Sequence, residues 1–138
     1  MLADQAVVFY VDDNPKSRRL LSCVLRERGF EVITASDPLE ALGVCKGITF
    51  DIALLDYQMP KMTGSQLAQE IKLLAPEIPV VLISGKRVLP SAELAFVDAH
   101  FGFGTTLDEL LDGLHMLVQP KLPPMRVSRA TVAWADST

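Results

Sequence analysis

Two short apolar runs, each closed by aspartate, constrain the fold of this chain more than any other feature. Residues 6–11 end in Asp12-Asp13, and Ile52-Ala53-Leu54-Leu55 end in Asp56. Both runs are too apolar to alternate and both are bounded by polar residues. That is the pattern of strands buried on both faces of a parallel sheet. Sheets of this kind place their sites beyond the carboxyl ends of the strands, so the three carboxylates are expected at one edge. A cluster of three repels itself unless a cation sits in it. Oxygen-only donors favour a hard ion, Mg²⁺ before Zn²⁺. One such aspartate alone reads equally well as a helix cap. A pair and a third, each closing its own run, favour a site.

The rest of the chain alternates strand and helix. Asn14-Pro15 gives a cap followed by proline at the first helical position. The first helix is expected to run to Arg28, with Leu20, Leu21, Val24 and Leu25 inward and Gly29 as its stop. Strand two is expected over 31–35. Asp37-Pro38-Leu39-Glu40 opens helix two, which Gly47 closes, and strand three covers 51–55. Thr63-Gly64-Ser65-Gln66 matches a capping box, and Leu67, Ile71 and Leu74 give helix three its stripe. Strand four covers 80–83, a short helix four 91–96, and a weaker strand five 100–103. Thr106-Leu107-Asp108-Glu109 caps helix five, with Leu107, Leu110, Leu111, Leu114 and Leu117 inward. Five such units predict a doubly wound α/β fold with helices on both faces. After Val118, Pro120, Pro123 and Pro124 break any helix, so 1–118 reads as the domain and 119–138 as a tail or linker that holds Trp134.

Composition narrows the function classes. The chain has 138 residues and a net charge of −4. Residues 119–138 carry Lys121, Arg126 and Arg129 against Asp136, a local +2, which leaves −6 on residues 1–118 and argues against a nucleic-acid surface there. Cys23 and Cys45 lie in expected helices with no zinc spacing and read as reduced core residues of a cytoplasmic protein. No run approaches the roughly 20 apolar residues of a membrane span, and the first apolar run is too short for a signal peptide.

The strings Val11-Asp12-Asp13, Leu55-Asp56-Tyr57-Gln58-Met59-Pro60-Lys61-Met62-Thr63-Gly64 and Ile83-Ser84-Gly85 resemble the receiver domain of bacterial two-component response regulators. The resemblance spans residues 6 to about 118. It implies a flavodoxin-like sandwich, a five-stranded parallel sheet in order 2-1-3-4-5 flanked by five helices, and a signalling domain rather than an enzyme. It implies that Asp56 accepts a phosphoryl group from a histidine kinase or phosphotransfer protein. Asp12, Asp13, Asp56 and the backbone carbonyl of Gln58 would hold Mg²⁺. Ser84 takes the position that contacts the phosphoryl group, and His100 that of an aromatic switch residue. Helix four, strand five and helix five would form a homodimer or partner face.

One position departs from that pattern. Phe103 stands where the family carries a lysine at the end of strand five. A lost charge-assisted contact costs on the order of 1.5–3 kcal/mol. Phenylalanine suits a buried strand end, so the ring is expected inside. Lys86 and Arg87 are either the substitute cation or an exposed basic pair. The sequence therefore leaves two readings: a phosphoacceptor, and a degenerate receiver that binds partners independently of phosphorylation. A hydrolase using an aspartate nucleophile ranks last, because that chemistry wants its aspartate pair at strand one and a lysine downstream.

Overall fold

The computed structural model describes residues 5–118; the segment 119–138, with Trp134, lies outside the described residues. Five strands, β1 (Val7–Val11), β2 (Glu31–Ala35), β3 (Ile52–Asp56), β4 (Val80–Ile83) and β5 (Ala99–Phe101), form one parallel sheet. Their order is β2-β1-β3-β4-β5, as expected. Four α-helices flank it: α1 (Pro15–Glu27), α2 (Pro38–Cys45), α3 (Gly64–Leu74) and α4 (Leu107–Val118).

Alternate strand residues build two cores. Phe9, Val11, Ala53, Leu55, Val80 and Leu82 face one side and pack with Ala41 of α2 and Leu67, Ala68 and Ile71 of α3. Val8, Tyr10, Ile52, Leu54 and Val81 face the other and pack with Leu25 of α1 and Leu110, Leu111 and Leu114 of α4. This is why the central strands are almost wholly apolar up to the aspartates that close them: either face of the sheet is an interior. Caps fix where all four helices start, and for α2 Asp37 Oδ1 accepts from the Glu40 amide at 2.9 Å. Asn14 Oδ1 accepts from the amides of Lys16 and Ser17, both at 3.0 Å. Thr63 and Gln66 form the expected reciprocal box, and Thr106 and Glu109 form another.

The expected count of five helices is wrong among the described residues. The helix placed over 91–96 is a single 3-10 turn, Ser91–Leu94. Only fifteen residues join β4 to β5. Residues 84–90 are spent on a loop that buries Leu89 in the core. Pro90 then precedes the turn, with no side-chain cap, and Asp98 already donates its amide to the Val80 carbonyl at 2.8 Å. What remains is too short for a helical nucleus to propagate.

Several side chains also face other ways than expected. Leu20 is 67% exposed, because Leu21, Val24 and Leu25 fill the inward stripe and Leu20 falls beside it. Leu74 and Leu107 end and begin their helices and are exposed. Cys23 lies on the outer side of α1 and is exposed, so it is not a core residue. Cys45 is half-buried, and burial pushes its thiol up to about 11. His115, in the last turn of α4, stacks on Phe30 with ring centroids 4.5 Å apart.

No helix among the described residues is long and apolar enough to cross a membrane.

Candidate functional site

Register brings the aspartates together. Val11 of β1 pairs with Leu55 of β3, so Asp12 and Asp56 leave the sheet side by side where the strand order reverses. Asp56 in turn pairs with Ile83 of β4, and Ser84 follows it at the same edge. Ligand oxygens of Asp12, Asp13 and Asp56 all lie within 4.8 Å of one another.

Asp12 is buried and firmly held. The Tyr10 hydroxyl donates to its Oδ2 at 2.6 Å, and the Asn14 amide to its Oδ1 at 2.9 Å. The Arg18 guanidinium donates to its backbone carbonyl at 2.7 Å. Asp56 is half-buried, and its carboxyl is raised from 3.8 to about 7. Burial is the largest cause, followed by the negative charges of Asp12 and Asp13; the Gln58 amide, donating to the carboxylate, opposes them. A carboxyl that resists ionisation among like charges is one that a bound cation would relieve. Three clustered carboxylates at an open edge fit a hard, partly hydrated ion such as Mg²⁺.

The floor of the site explains two residues of the motif. A Cβ on Gly64 would lie 2.5 Å from the Asp56 carbonyl oxygen and 2.7 Å from Leu82 Cδ1. Only glycine lets the start of α3 press against the strand that carries Asp56. The Gly64 amide then donates to the Tyr57 carbonyl at 2.8 Å. Lys61 takes a left-handed conformation, φ 75°, to turn the chain between Asp56 and α3.

The edge of β4 carries the second group of residues. Ser84 Oγ donates to the Lys86 carbonyl at 3.0 Å and lies 2.8 Å from His100 Nε2. Burial lowers the His100 imidazole below its ordinary value, which keeps it neutral near pH 7. Serine and histidine are therefore already coupled across β4 and β5.

The family model for the response regulator receiver domain matches residues 8–103. The chain belongs to that family. Among curated proteins, the receiver is 34% identical over 110 residues to the sensor histidine kinase RcsC of Salmonella typhi, matching 78% of this chain and 12% of that protein. It is 33% identical over 100 residues to the transcriptional regulatory protein GlrR of Escherichia coli, 72% of this chain and 22% of that one. The chain thus spans less than a quarter of either relative. Among solved structures it resembles the response regulator TrrA of Thermotoga maritima in complex with Mg²⁺ and BeF. The TM-score is 0.77 at 28% identity, over 82% of this chain and 99% of that one. The chemotaxis protein CheY4 of Vibrio cholerae gives a TM-score of 0.76 at 27% identity, over 83% and 99%.

The receiver departs from expectation at Phe103. Its ring is 65% exposed rather than buried. β5 ends at Phe101, and Gly102 passes so close to the Lys86 carbonyl that a Cβ could not fit. The chain then turns: the Thr105 amide donates to the Gly102 carbonyl at 3.1 Å, and Gly104 has φ 97°. Phe103 rides on that turn, outside the sheet. The Arg87 guanidinium sits over its ring, 5.8 Å from the centroid. Arg87 is therefore occupied by an aromatic face, and Lys86 is exposed. Among the described residues, no lysine or arginine forms an ion pair with the three aspartates.

Sequence reading missed Tyr10 and Arg18 as members of the site. Tyr10 reads as one more apolar residue of the run, although a hydroxyl two positions before an aspartate, on the same face of the strand, was a usable signal. Arg18 lies one helical turn past the Asn14 cap, and nothing in a charged residue on an exposed helix marks it as a ligand of a backbone carbonyl. The structure also ties the shortened β4–β5 connection to the site. The Tyr57 hydroxyl donates to Glu93 Oε1 at 3.1 Å, and Ser65 Oγ to the Glu93 carbonyl at 2.5 Å.

Proposed function

We propose that this receiver accepts a phosphoryl group on Asp56 from a phosphohistidine of a kinase or phosphotransfer protein and passes the signal on by protein contact, within the cytoplasm. The observation that carries this reading is the convergence of Asp12, Asp13 and Asp56 within 4.8 Å at the carboxyl edge of the sheet. In the transfer, an Asp56 carboxylate oxygen bonds to phosphorus as the phosphorus–nitrogen bond breaks, and the imidazole leaves carrying the displaced electron pair. Mg²⁺, held by Asp12, Asp13, Asp56 and the Gln58 carbonyl, would neutralise the charge gathered between carboxylate and phosphoryl oxygens. The chain's own residues do the rest. Asp12 is fixed by its three hydrogen bonds, the Gln58 amide orients the acceptor, and the Gly64 packing fixes its strand. Ser84 stands at the neighbouring strand end to contact a phosphoryl oxygen, with His100 coupled to it.

The test is transfer from a phosphorylated histidine domain in Mg²⁺. The expected product carries a hydroxylamine-labile label that Asp56→Asn abolishes. Equal labelling of the asparagine chain contradicts the assignment.

A second reading, a receiver that binds partners without phosphorylation, is favoured by one observation. Phe103 is an exposed ring where the family carries a cation, and among the described residues no lysine or arginine forms an ion pair with the three carboxylates. Failure of labelling with partner binding intact decides for it.

We also place the homodimer or partner face on the 3-10 turn, β5 and α4, where Phe96 and Phe103 are exposed. Asp108 is the clean probe of that face, since it makes only a long, exposed pair with Arg28 at 3.7 Å, whereas Glu93 is tied to Tyr57. Charge reversal of Asp108 is expected to weaken self-association or partner binding.

A further inference from the structure

We propose that the Tyr10 hydroxyl is a positioning group for the Asp12 carboxylate, which makes this tyrosine a determinant of Mg²⁺ affinity. The inference rests on the Mg²⁺ site proposed above and adds a residue to it. Tyr10 and Asp12 project to the same face of β1, and they are 1% and 4% exposed. The phenol has one proton and two acceptors near it. Asp12 Oδ2 lies at 2.6 Å and the Ser17 carbonyl at 3.5 Å, so the proton goes to the carboxylate. The Asn14 amide holds the other oxygen at 2.9 Å. With one donor on each oxygen, the plane of the carboxylate is fixed, and a lone pair on each remains for a cation.

The surroundings leave this role to the phenol. A cavity of about 350 Å³ adjoins the pair and is lined, besides Ser17, by Leu20, Leu21, Val24, Ile83 and Leu107. The five apolar side chains offer Asp12 no replacement donor, and the donors to its carboxylate are the Tyr10 hydroxyl and the Asn14 amide, not the Ser17 hydroxyl. Phe103 stands in the place of the family lysine, and no lysine or arginine among the described residues pairs with the three carboxylates. Tyr10 is thus a neutral donor built into a site short of positive charge. Donors behind a metal-binding carboxylate orient it, and their loss typically weakens binding about 10–100-fold.

Tyr10→Phe removes one oxygen and keeps the ring. Mg²⁺ titrations of both chains, followed at the amides of residues 12–14 and 56–58, give the affinities, and urea unfolding in EDTA gives the metal-free stability. The dissociation constant is expected to rise about tenfold in the variant. An unchanged constant with a lowered urea midpoint assigns the hydroxyl a packing role and overturns the inference alone. In an Asp12→Asn background the tyrosine substitution is expected to change Mg²⁺ affinity little; an equal effect in both backgrounds also overturns it. Should the phenylalanine chain not fold, the native protein decides. Mg²⁺ must shift the Tyr10 ring signals together with those of residues 56–58, and an unmoved ring overturns the inference. A native chain indifferent to Mg²⁺ overturns this inference and the metal site together.

Discussion

Replacing Asp56 by asparagine should stabilise the metal-free protein at neutral and alkaline pH. The folded carboxyl is raised from 3.8 to about 7 by burial and by Asp12 and Asp13. A group whose folded pKa is raised contributes stability that is present below its unfolded pKa and lost as pH rises through the folded value. For Asp56 that loss runs from about pH 4 to pH 7 and is complete by pH 8. Three units correspond to a ceiling of about 4 kcal/mol at 1.36 kcal/mol each. Asp56 is only half-buried, and solvent screening lowers the expected gain to about 1–3 kcal/mol. Asparagine is nearly the same shape, keeps an oxygen for the Gln58 amide, and offers Asp13 a donor. Urea unfolding of both chains in EDTA at pH 5 and pH 8 measures the difference. The variant should be more stable at pH 8, with the gap narrowing at pH 5. Mg²⁺ should reverse the ranking, because it binds the native site better. An asparagine chain equal to or less stable than the native one at pH 8 refutes the electrostatic account of this edge.

Phe103→Lys should cost only about 0.5–1 kcal/mol, the loss of the Arg87 contact, because the ring is already exposed. The lysine chain should also label faster and show a larger beryllofluoride-induced shift of Ser84 and His100 signals; no change in either means that another group serves. Gly64→Ala should destabilise the fold by about 1–3 kcal/mol through overpacking, read by urea, and should weaken Mg²⁺ binding as α3 pushes on Asp56. His100→Ala should leave the fold intact but uncouple Ser84, so that beryllofluoride shifts Ser84 without moving β5 signals.

The strands and the acidic edge were legible because each is set by strong local signals, whereas the strand order came with the family resemblance of the motifs. Continuous apolar runs name buried strands, and the residue that closes a run names the edge. The caps at Asn14, Thr63 and Thr106 were legible for the same reason. What failed depended on lengths and on three-dimensional neighbours. Ser91 to Phe96 looks helical in isolation, yet fifteen residues between β4 and β5 leave room for one turn only. Phe103 looks like a core residue, yet β5 has ended before it, at Phe101, and the turn through Gly102 and Gly104 carries it outside the sheet. Cys23 and Leu20 sit among apolar neighbours in sequence but beside the inward stripe in space. Tyr10 was hidden because its ring obeys the apolar pattern while its hydroxyl serves the site.

The most direct measurement of the central claim is the intact mass of the chain before and after a small-molecule phosphodonor with Mg²⁺. The account predicts one added phosphoryl group on the native protein, none in EDTA and none on Asp56→Asn. An unmodified native chain, or an asparagine chain that gains the same mass, would contradict it.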